Sequence, residues 1–294
     1  IGFGLVLPAI DQDLFIVLKK PENDYLGWYG TVMKQHSIAP YIHIEKPDPF
    51  LMQTRYQADD GSEYVFVVNS HIHDSCQTRV IFSHEITRNM HGWVWDPETG
   101  GRYMIRLAKD NGIDLDLGPA ESILIVFNRE RKGPEWKPVP VTGDGVQELT
   151  GGWNAEFMHC HNGTVRNVKM GMLQDLKDIP ELVNFSGTVI YRNTLMCEEP
   201  EGVIINLGKV YGTSELKING NSCGVKWYGR RIYSAGAYLH QGANEIEISV
   251  TTSMGNYMKS LTDNPIAQYW TNAGNKNQPL QPMGMIGPVK VYKS

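Results

Sequence analysis

The sequence predicts an all-β protein made of two β-sandwich domains. Residues 215–218 and 244–250 alternate polar and apolar side chains, as strands with one buried face do. Asn219 and Gly220, between strand-like runs, supply the two positive-φ residues that a tight hairpin needs. The 294 residues exceed the usual size of one hydrophobic core. We therefore expect two domains, and one large all-β domain is the alternative.

The first half changes character near Phe50. The preceding residues, 1–49, show no clear period and are treated as a connecting segment of uncertain structure. Strand-like runs rich in β-branched and aromatic residues follow at 63–68, 79–82 and 123–127. Turn-forming clusters lie between these runs. The pattern predicts a first sandwich over residues 50–130.

A linker is predicted at residues 131–145, because three prolines among charged residues and glycines disfavour a central strand there. The second sandwich is expected over residues 146–294, with a short helix or turn within 172–182. Its segment 254–287 is rich in Asn, Gly and Pro. Such a composition predicts a long irregular loop, which in compact domains is usually functional or covers a sheet edge.

Composition excludes several classes of function. The net charge is −5, and the lysines and arginines are scattered, so nucleic acid is not an expected partner. No run approaches the roughly 18 apolar residues of a membrane span. The four cysteines form no CxxC pair and are expected to be free, buried thiols.

Five short motifs follow one another in the second half. They read SGTVIYR, NLGKV, KING, GVKW and GANEIEI, at residues 186–192, 206–210, 217–220, 224–227 and 242–248. Their types and order resemble the galactose-binding-like jelly roll of glycoside hydrolases. Each motif alone is weak, whereas five in order are a specific signal for the fold.

The first half is similar to the sandwich that precedes this jelly roll in large α-L-rhamnosidase-like enzymes. The matching segments are RY at 55–56, DG at 60–61, YVFVVN at 64–69, WDPETG at 95–100 and LGPAES at 117–122, with GMIGPV at 284–289 near the end. The resemblance implies a secreted or periplasmic protein that meets carbohydrate. It also implies a catalytic barrel of about 250 residues, and with it the catalytic carboxylates, outside this sequence.

No catalytic residue is predicted within the sequence itself. Glycosidases need two carboxylates about 5 to 9.5 Å apart, one of them with a raised pKa. Asp114 with Asp116, and Glu245 with Glu247, each share one face of a strand, where carboxylates are usually solvated. An enzyme complete in itself, with carboxylates brought together from the two sandwiches, remains a third hypothesis.

No metal site and no cofactor are predicted. His71 and His73 would lie on one side of a strand and could bind zinc only if a third ligand converged. Polar histidines at a strand end are the favoured interpretation. The resemblance allows for a structural calcium, but no ligand set stands out.

Carbohydrate recognition needs an aromatic face together with planar polar groups for the hydroxyls. Two segments supply these types of residue. The predicted carbohydrate-binding residues are Tyr228, Arg230 and Arg231 in one connection, and Asn256, Tyr269 and Trp270 in the late loop. Trp227, the tryptophan of the fourth motif, is expected in the core or between the domains.

We expect a non-catalytic accessory region of a rhamnosidase-like glycoside hydrolase acting on plant or complex glycans. It would present Tyr269, Trp270 or Arg230 at the rim of the active site or to a distal part of the glycan. Its partners would be carbohydrate and the catalytic domain of the same protein. The alternative is a free-standing carbohydrate-binding module with a sugar pocket in the late loop. Titration with oligosaccharides discriminates between them, since the isolated accessory region should show no measurable binding and the module should bind.

Overall fold

A computed structural model describes residues 25–38, 40–163, 165–272 and 277–294. This part of the chain is nearly all β, which confirms the predicted fold class. Its helices are short: α1 (Tyr25–Gln35), α2 (His84–Thr87), α3 (Gly255–Ser260) and α4 (Pro265–Thr271). None of them is both long and apolar enough to cross a bilayer. Residues 1–24, most of the predicted connecting segment, lie outside the described ranges.

Eight of the described strands form the first sandwich. They are β1 (Ile42–Ile44), β2 (Leu51–Gln57), β3 (Glu63–Asn69), β4 (Cys76–Phe82), β5 (His91–Trp95), β6 (Arg102–Ile105), β7 (Gly112–Leu117) and β8 (Ser122–Asn128). One antiparallel sheet has the order β2-β3-β8-β5-β6, and the other has the order β1-β4-β7. The two sheets share a core in which the rings of Phe82 and Phe127 meet at 4.9 Å.

The second sandwich contains twelve strands in the described residues. They are β9 (Asp144–Leu149), β10 (Trp153–His159), β11 (Val165–Met170), β12 (Gly187–Cys197), β13 (Val203–Asn206), β14 (Lys209–Tyr211), β15 (Thr213–Ile218), β16 (Asn221–Lys226), β17 (Ile232–Ser234), β18 (Gly242–Thr251), β19 (Gly284–Gly287) and β20 (Val289–Lys293). The sheets have the orders β11-β10-β12-β18-β15-β16, β17-β13-β20-β9 and β14-β19.

The second core lies between these sheets. Alternate residues of β18 point inward, and Ile246, Ile248 and Val250 are fully buried. They pack in one cluster with Ile205 and Val289 from the facing sheet. The alternation read from residues 244–250 therefore marks the buried face correctly.

Two segments differ from expectation. β1 pairs with β4, so part of the predicted connecting segment belongs to the first sandwich. Helices α3 and α4 form within residues 254–287, where an irregular loop was expected. The oxygen of Asn264 accepts hydrogen bonds from the backbone N–H groups of Ile266 and Ala267, and Pro265 follows at the first helical position. This capping starts α4 in an otherwise loop-like composition.

Candidate functional site at the junction of the two sandwiches

A cleft of about 780 Å³ lies where the two sandwiches and the predicted linker meet. Its volume falls within the range of about 300–1,000 Å³ that is usual for small-molecule sites. The first sandwich, the linker and the second sandwich all contribute to its wall. The aromatic side chains in this wall are Trp95, Tyr103, Trp136 and Tyr228.

Arg230 links the two sandwiches at this cleft. Its Nη2 donates to Asp116 Oδ1 at 2.5 Å, and its Nη1 donates to the Asp116 carbonyl oxygen at 2.9 Å. Nη1 also lies 3.4 Å from Glu121 Oε2. The Arg230 side chain is only 15% exposed. One guanidinium from the second sandwich therefore compensates two carboxylates of the first.

Glu98 makes a second link. Its Oε2 accepts from Lys226 Nζ at 2.8 Å, and its Oε1 accepts from the backbone N–H of Trp227 at 3.0 Å. The Glu98 side chain is 8% exposed, so its charge depends on these partners. The cleft thus brings charged residues of both sandwiches into direct contact.

Gly229 lets two segments of the chain, one from each sandwich, approach closely. Its N–H donates to the Ala120 carbonyl oxygen at 3.2 Å. Its φ is +60°, and an added Cβ would lie 2.7 Å from Glu121 Cγ. Glycine is therefore required here both by the backbone conformation and by the space.

The environment of the cleft shifts two pKa values. Burial raises the pKa of Glu121, although the Gly118 N–H bond and the Arg230 charge act in the opposite direction. Burial, assisted by the Glu98 and Asp96 charges, raises the pKa of Tyr228 to about 12. Tyr228 is consequently a neutral hydroxyl over the physiological pH range.

Glu121 and Asp116 are two carboxylates of the cleft that share one cationic partner. A glycosidase pair needs open space between its carboxylates for the glycosidic bond and, in inverting enzymes, for a water. Here the guanidinium of Arg230 contacts both carboxylates. Both acids are therefore compensated by the same cation.

The three predicted binding residues between β16 and β17 do not all line the cleft. Tyr228 and Arg230 line the cleft. Arg231 is 6% exposed and donates to the carbonyl oxygens of Gly229 and Gly212 at 2.7 and 3.0 Å. Burial lowers its pKa. Arg231 therefore holds the backbone of the connection in place and does not line the cleft.

Trp227 differs from its neighbours in the connection. It is 55% exposed and so lies outside the core, one of its two expected places, while its backbone N–H bonds Glu98 of the first sandwich at the other, the domain boundary. Its ring lies 4.6 Å from that of Tyr228. The tryptophan therefore sits at the outer side of the junction.

The predicted residues of the late loop lie away from the cleft wall. Asn256 is 1% exposed, donates to the Gln281 carbonyl oxygen and accepts from the Gln281 N–H, both at 2.8 Å. Its polar atoms are thus used within the segment itself. Tyr269 and Trp270, on α4, are 59% and 60% exposed and meet edge to face at 5.5 Å. These two rings form a surface pair rather than a pocket.

The histidines considered for a metal site lie beyond the end of β3 and not within a strand. His71 Nδ1 accepts from the backbone N–H groups of His73 and Asp74, so its lone pair is engaged. Its Nε2 lies 3.2 Å from Asp74 Oδ2. Within the described ranges, no three His, Cys, Asp or Glu side chains are grouped to hold a metal ion.

Glu98, Glu121 and Lys226 were not among the predicted site residues. These residues meet partners 109 to 129 positions away in the chain. Glu98 and Glu121 stand in turn-like segments, and Lys226 in a strand motif, where charged residues are ordinary. No local pattern signals a contact over such a separation.

No protein-family model matches the chain, and no significant match was found among curated proteins. Among solved structures, the rhamnosidase from Novosphingobium sp. PP1Y is similar over 90% of this chain, with 20% identity and a TM-score of 0.62. The chain spans 26% of that rhamnosidase chain. At this identity the likeness shows the shared fold.

Partial matches include two further glycoside hydrolases. The β-D-glucuronidase from Dictyoglomus thermophilum covers 36% of this chain and 19% of its own, with 19% identity and a TM-score of 0.30. A β-galacturonidase from Eisenbergiella tayi covers 50% and 24%, with 15% identity and a TM-score of 0.35. Scores this low carry no argument about this chain.

Proposed function

We propose that the chain is a non-catalytic accessory region of a larger, rhamnosidase-like glycoside hydrolase acting on plant or complex glycans. The observation that carries this proposal is the compensation of the cleft acids by cations of the second sandwich. Arg230 contacts Asp116 and Glu121, and Lys226 contacts Glu98. Carboxylates used in this way join domains and are not free to act on a glycosidic bond.

The fold likeness supports the same function. The matching rhamnosidase is about four times as long as the matched region, since this chain spans 26% of it. A region with this role would work beside a catalytic domain of the same protein, in a secreted or periplasmic setting. No cofactor is part of the proposal.

A turnover assay tests the proposal. The purified chain is incubated with a panel of nitrophenyl glycosides that includes the rhamnoside, beside a Glu121→Gln variant. We expect no release of nitrophenol above the rate of the variant. Turnover that disappears in Glu121→Gln would instead support an enzyme complete in itself.

A second function, glycan binding by the isolated chain, is favoured by one observation. The cleft is of sugar size, and its wall combines Tyr103, Trp136 and Tyr228 with charged hydrogen-bonding groups. Aromatic faces with nearby polar groups are what a pyranose ring requires. The pocket we propose is therefore the cleft at the junction, whereas the sequence alone suggested the late loop.

Isothermal titration with rhamnose- and galactose-containing oligosaccharides separates the two functions. An accessory region gives no heat of binding on its own. A binding module gives saturable heat that Tyr228→Ala removes, while Trp270→Ala leaves it unchanged if the junction is the site. The reverse pattern would place binding at the exposed pair on α4.

A further inference from the structure

A second pocket, of about 670 Å³, lies at the end of the first sandwich that is opposite to the junction. Strand β5 begins at this pocket with His91 and Gly92 and reaches the cleft at Trp95. Strand β8 runs the other way, from Ser122 at the cleft to Phe127 at the pocket. The volume is in the range of small-molecule sites. The pocket and the cleft are therefore separate sites.

The charged side chains of the pocket wall are all basic. Arg88, His84 and His91 line it, and no carboxylate does so in the part of the chain that the structure describes. Glu85, the acidic residue of α2, is not in the wall. The cleft differs, since six carboxylates line it. In a chain with a net charge of −5, a pocket lined by one positive sign of charge favours an anionic ligand.

Arg88 has a guanidinium with no partner. Its backbone N–H donates to the His84 carbonyl oxygen at 3.0 Å, which holds the main chain at the end of α2. Within the described ranges its side chain makes neither an ion pair nor a hydrogen bond. Arg79 and Arg230, by contrast, each contact two carboxylates. A free guanidinium offers a planar pair of donors that matches a carboxylate.

Asn111 supplies a neutral polar group and fixes the wall. Its Nδ2 donates to the Phe82 carbonyl oxygen at 2.7 Å and to Thr87 Oγ1 at 2.9 Å, so the turn before β7 is tied to α2. Its Oδ1 accepts no hydrogen bond from the described residues. Such an oxygen can accept from a hydroxyl group of a ligand. The wall is thus preorganised around an acceptor as well as a cation.

The floor of the pocket is apolar and tightly packed. Ile105 and Phe127 are 7% and 1% exposed. At Gly92 an added Cβ would lie 2.7 Å from Ile105 Cγ1 and 3.1 Å from Phe127 Cε1, so these side chains leave each other little freedom. Met90 and Leu107 are partly buried against the same core. An apolar floor beside a cation suits an organic anion better than an inorganic ion.

We propose that this pocket binds a hydroxylated organic carboxylate of the size of a uronic acid residue. Arg88 pairs with the carboxylate, and the imidazoles of His84 and His91 add donors. Asn111 Oδ1 accepts from a ring hydroxyl. The site goes beyond the proposed function, because it shares no lining residue with the cleft.

NMR titration of the full chain with galacturonate at neutral pH, read on the backbone amide signals, tests the proposal. We expect saturable shifts at Gly92, Leu107 and Asn111, and none at Tyr228 in the cleft. Galactose is the matched neutral probe, because it keeps the ring hydroxyls and lacks the carboxylate. Inorganic phosphate is the matched anion without hydroxylated carbon. Both should bind at least ten-fold more weakly than galacturonate.

Arg88→Gln should weaken the binding of galacturonate by about ten-fold, since a hydrogen bond to a charged group is lost. Arg106→Gln is the control, because Arg106 is 85% exposed and lies outside the pocket wall, and it should leave the affinity unchanged. The amide spectra also show that both variants fold.

Three results would overturn the proposal: no saturable shifts at the pocket, galactose or phosphate binding as tightly as galacturonate, or unchanged affinity in Arg88→Gln. Absent shifts are also what a carboxylate of the chain itself, already seated on Arg88, would give. Shifts confined to the cleft would place the acid in the glycan site and leave this pocket without a ligand. None of these results bears on the turnover assay, so the two proposals fail separately.

Discussion

At the scale of single residues, the junction depends on buried charges that find partners in the other sandwich. Glu121 shows the balance: its carboxylate loses hydration on folding, and Arg230 and the Gly118 N–H restore only part of what is lost. The value of a carboxyl in this position lies in its contacts, since its charge is poorly solvated there. Both pH and substitution can test this.

Glu121→Gln should change how stability depends on pH. Because burial raises the folded-state pKa of Glu121 above its usual 4.5, the folded chain holds this proton more tightly than the unfolded chain. The contribution of the protonated Glu121 to the free energy of unfolding is fully present below pH 4.5, and it is lost as pH rises through the folded-state pKa.

The free energy of unfolding of the wild type, relative to Glu121→Gln, should therefore fall as pH rises from 4.5. Urea unfolding at a series of pH values measures this difference. A difference that increases with pH would show a lowered pKa and contradict the burial that the structure gives.

Gly229→Ala should destabilise the chain by about 1–2 kcal/mol from the left-handed backbone alone, with more from the contact with Glu121. Thermal or urea unfolding measures the loss. Gly30→Ala is the control, because its added Cβ meets nothing within 4 Å and α1 should gain from alanine. Equal effects of the two substitutions would contradict the close approach at the junction.

At the scale of elements, strand predictions succeeded where the signal was local. Asn219 and Gly220 have φ of 51° and 78°, and they turn the chain between β15 and β16, as their residue types predicted. The run at 123–127 lies within β8, where four of its five side chains are buried and most have the β-branched or aromatic shapes that suit a sheet.

Helix α4 shows why the late segment was harder to predict. Its seven residues are too few to produce a helical period, and its formation rests on the cap at Asn264. The exposed pair Tyr269 and Trp270 follows from that helix. The burial of Asn256, by contrast, depends on Gln281, 25 residues further on.

Asn264→Ala should loosen α4 by about 1 kcal/mol, because the two N–H groups of Ile266 and Ala267 lose their acceptor. Hydrogen exchange of the α4 amides should quicken by about five-fold. Asn264→Asp keeps the acceptor and should leave the exchange rates near those of the wild type. Unchanged exchange in the alanine variant would show that packing, not the cap, holds the helix.

At the scale of the whole molecule, the sequence predicted two sandwiches but not how they join. The strand period locates each core, because it arises from short-range alternation. The cleft is different, since Arg230 and Asp116 are 114 residues apart and each looks like an ordinary surface charge. Of the predicted site residues, Tyr228 and Arg230 line the cleft, while Asn256 and Arg231 are buried.

The central claim is that the cleft carboxylates join the two sandwiches. A double-mutant cycle of Arg230→Met and Asp116→Asn, measured by urea unfolding, tests it most directly. Since the two side chains form a partly shielded ion pair, we predict a coupling free energy of about 1–2 kcal/mol. A coupling near zero would contradict the claim and leave the acids of the cleft free for another role.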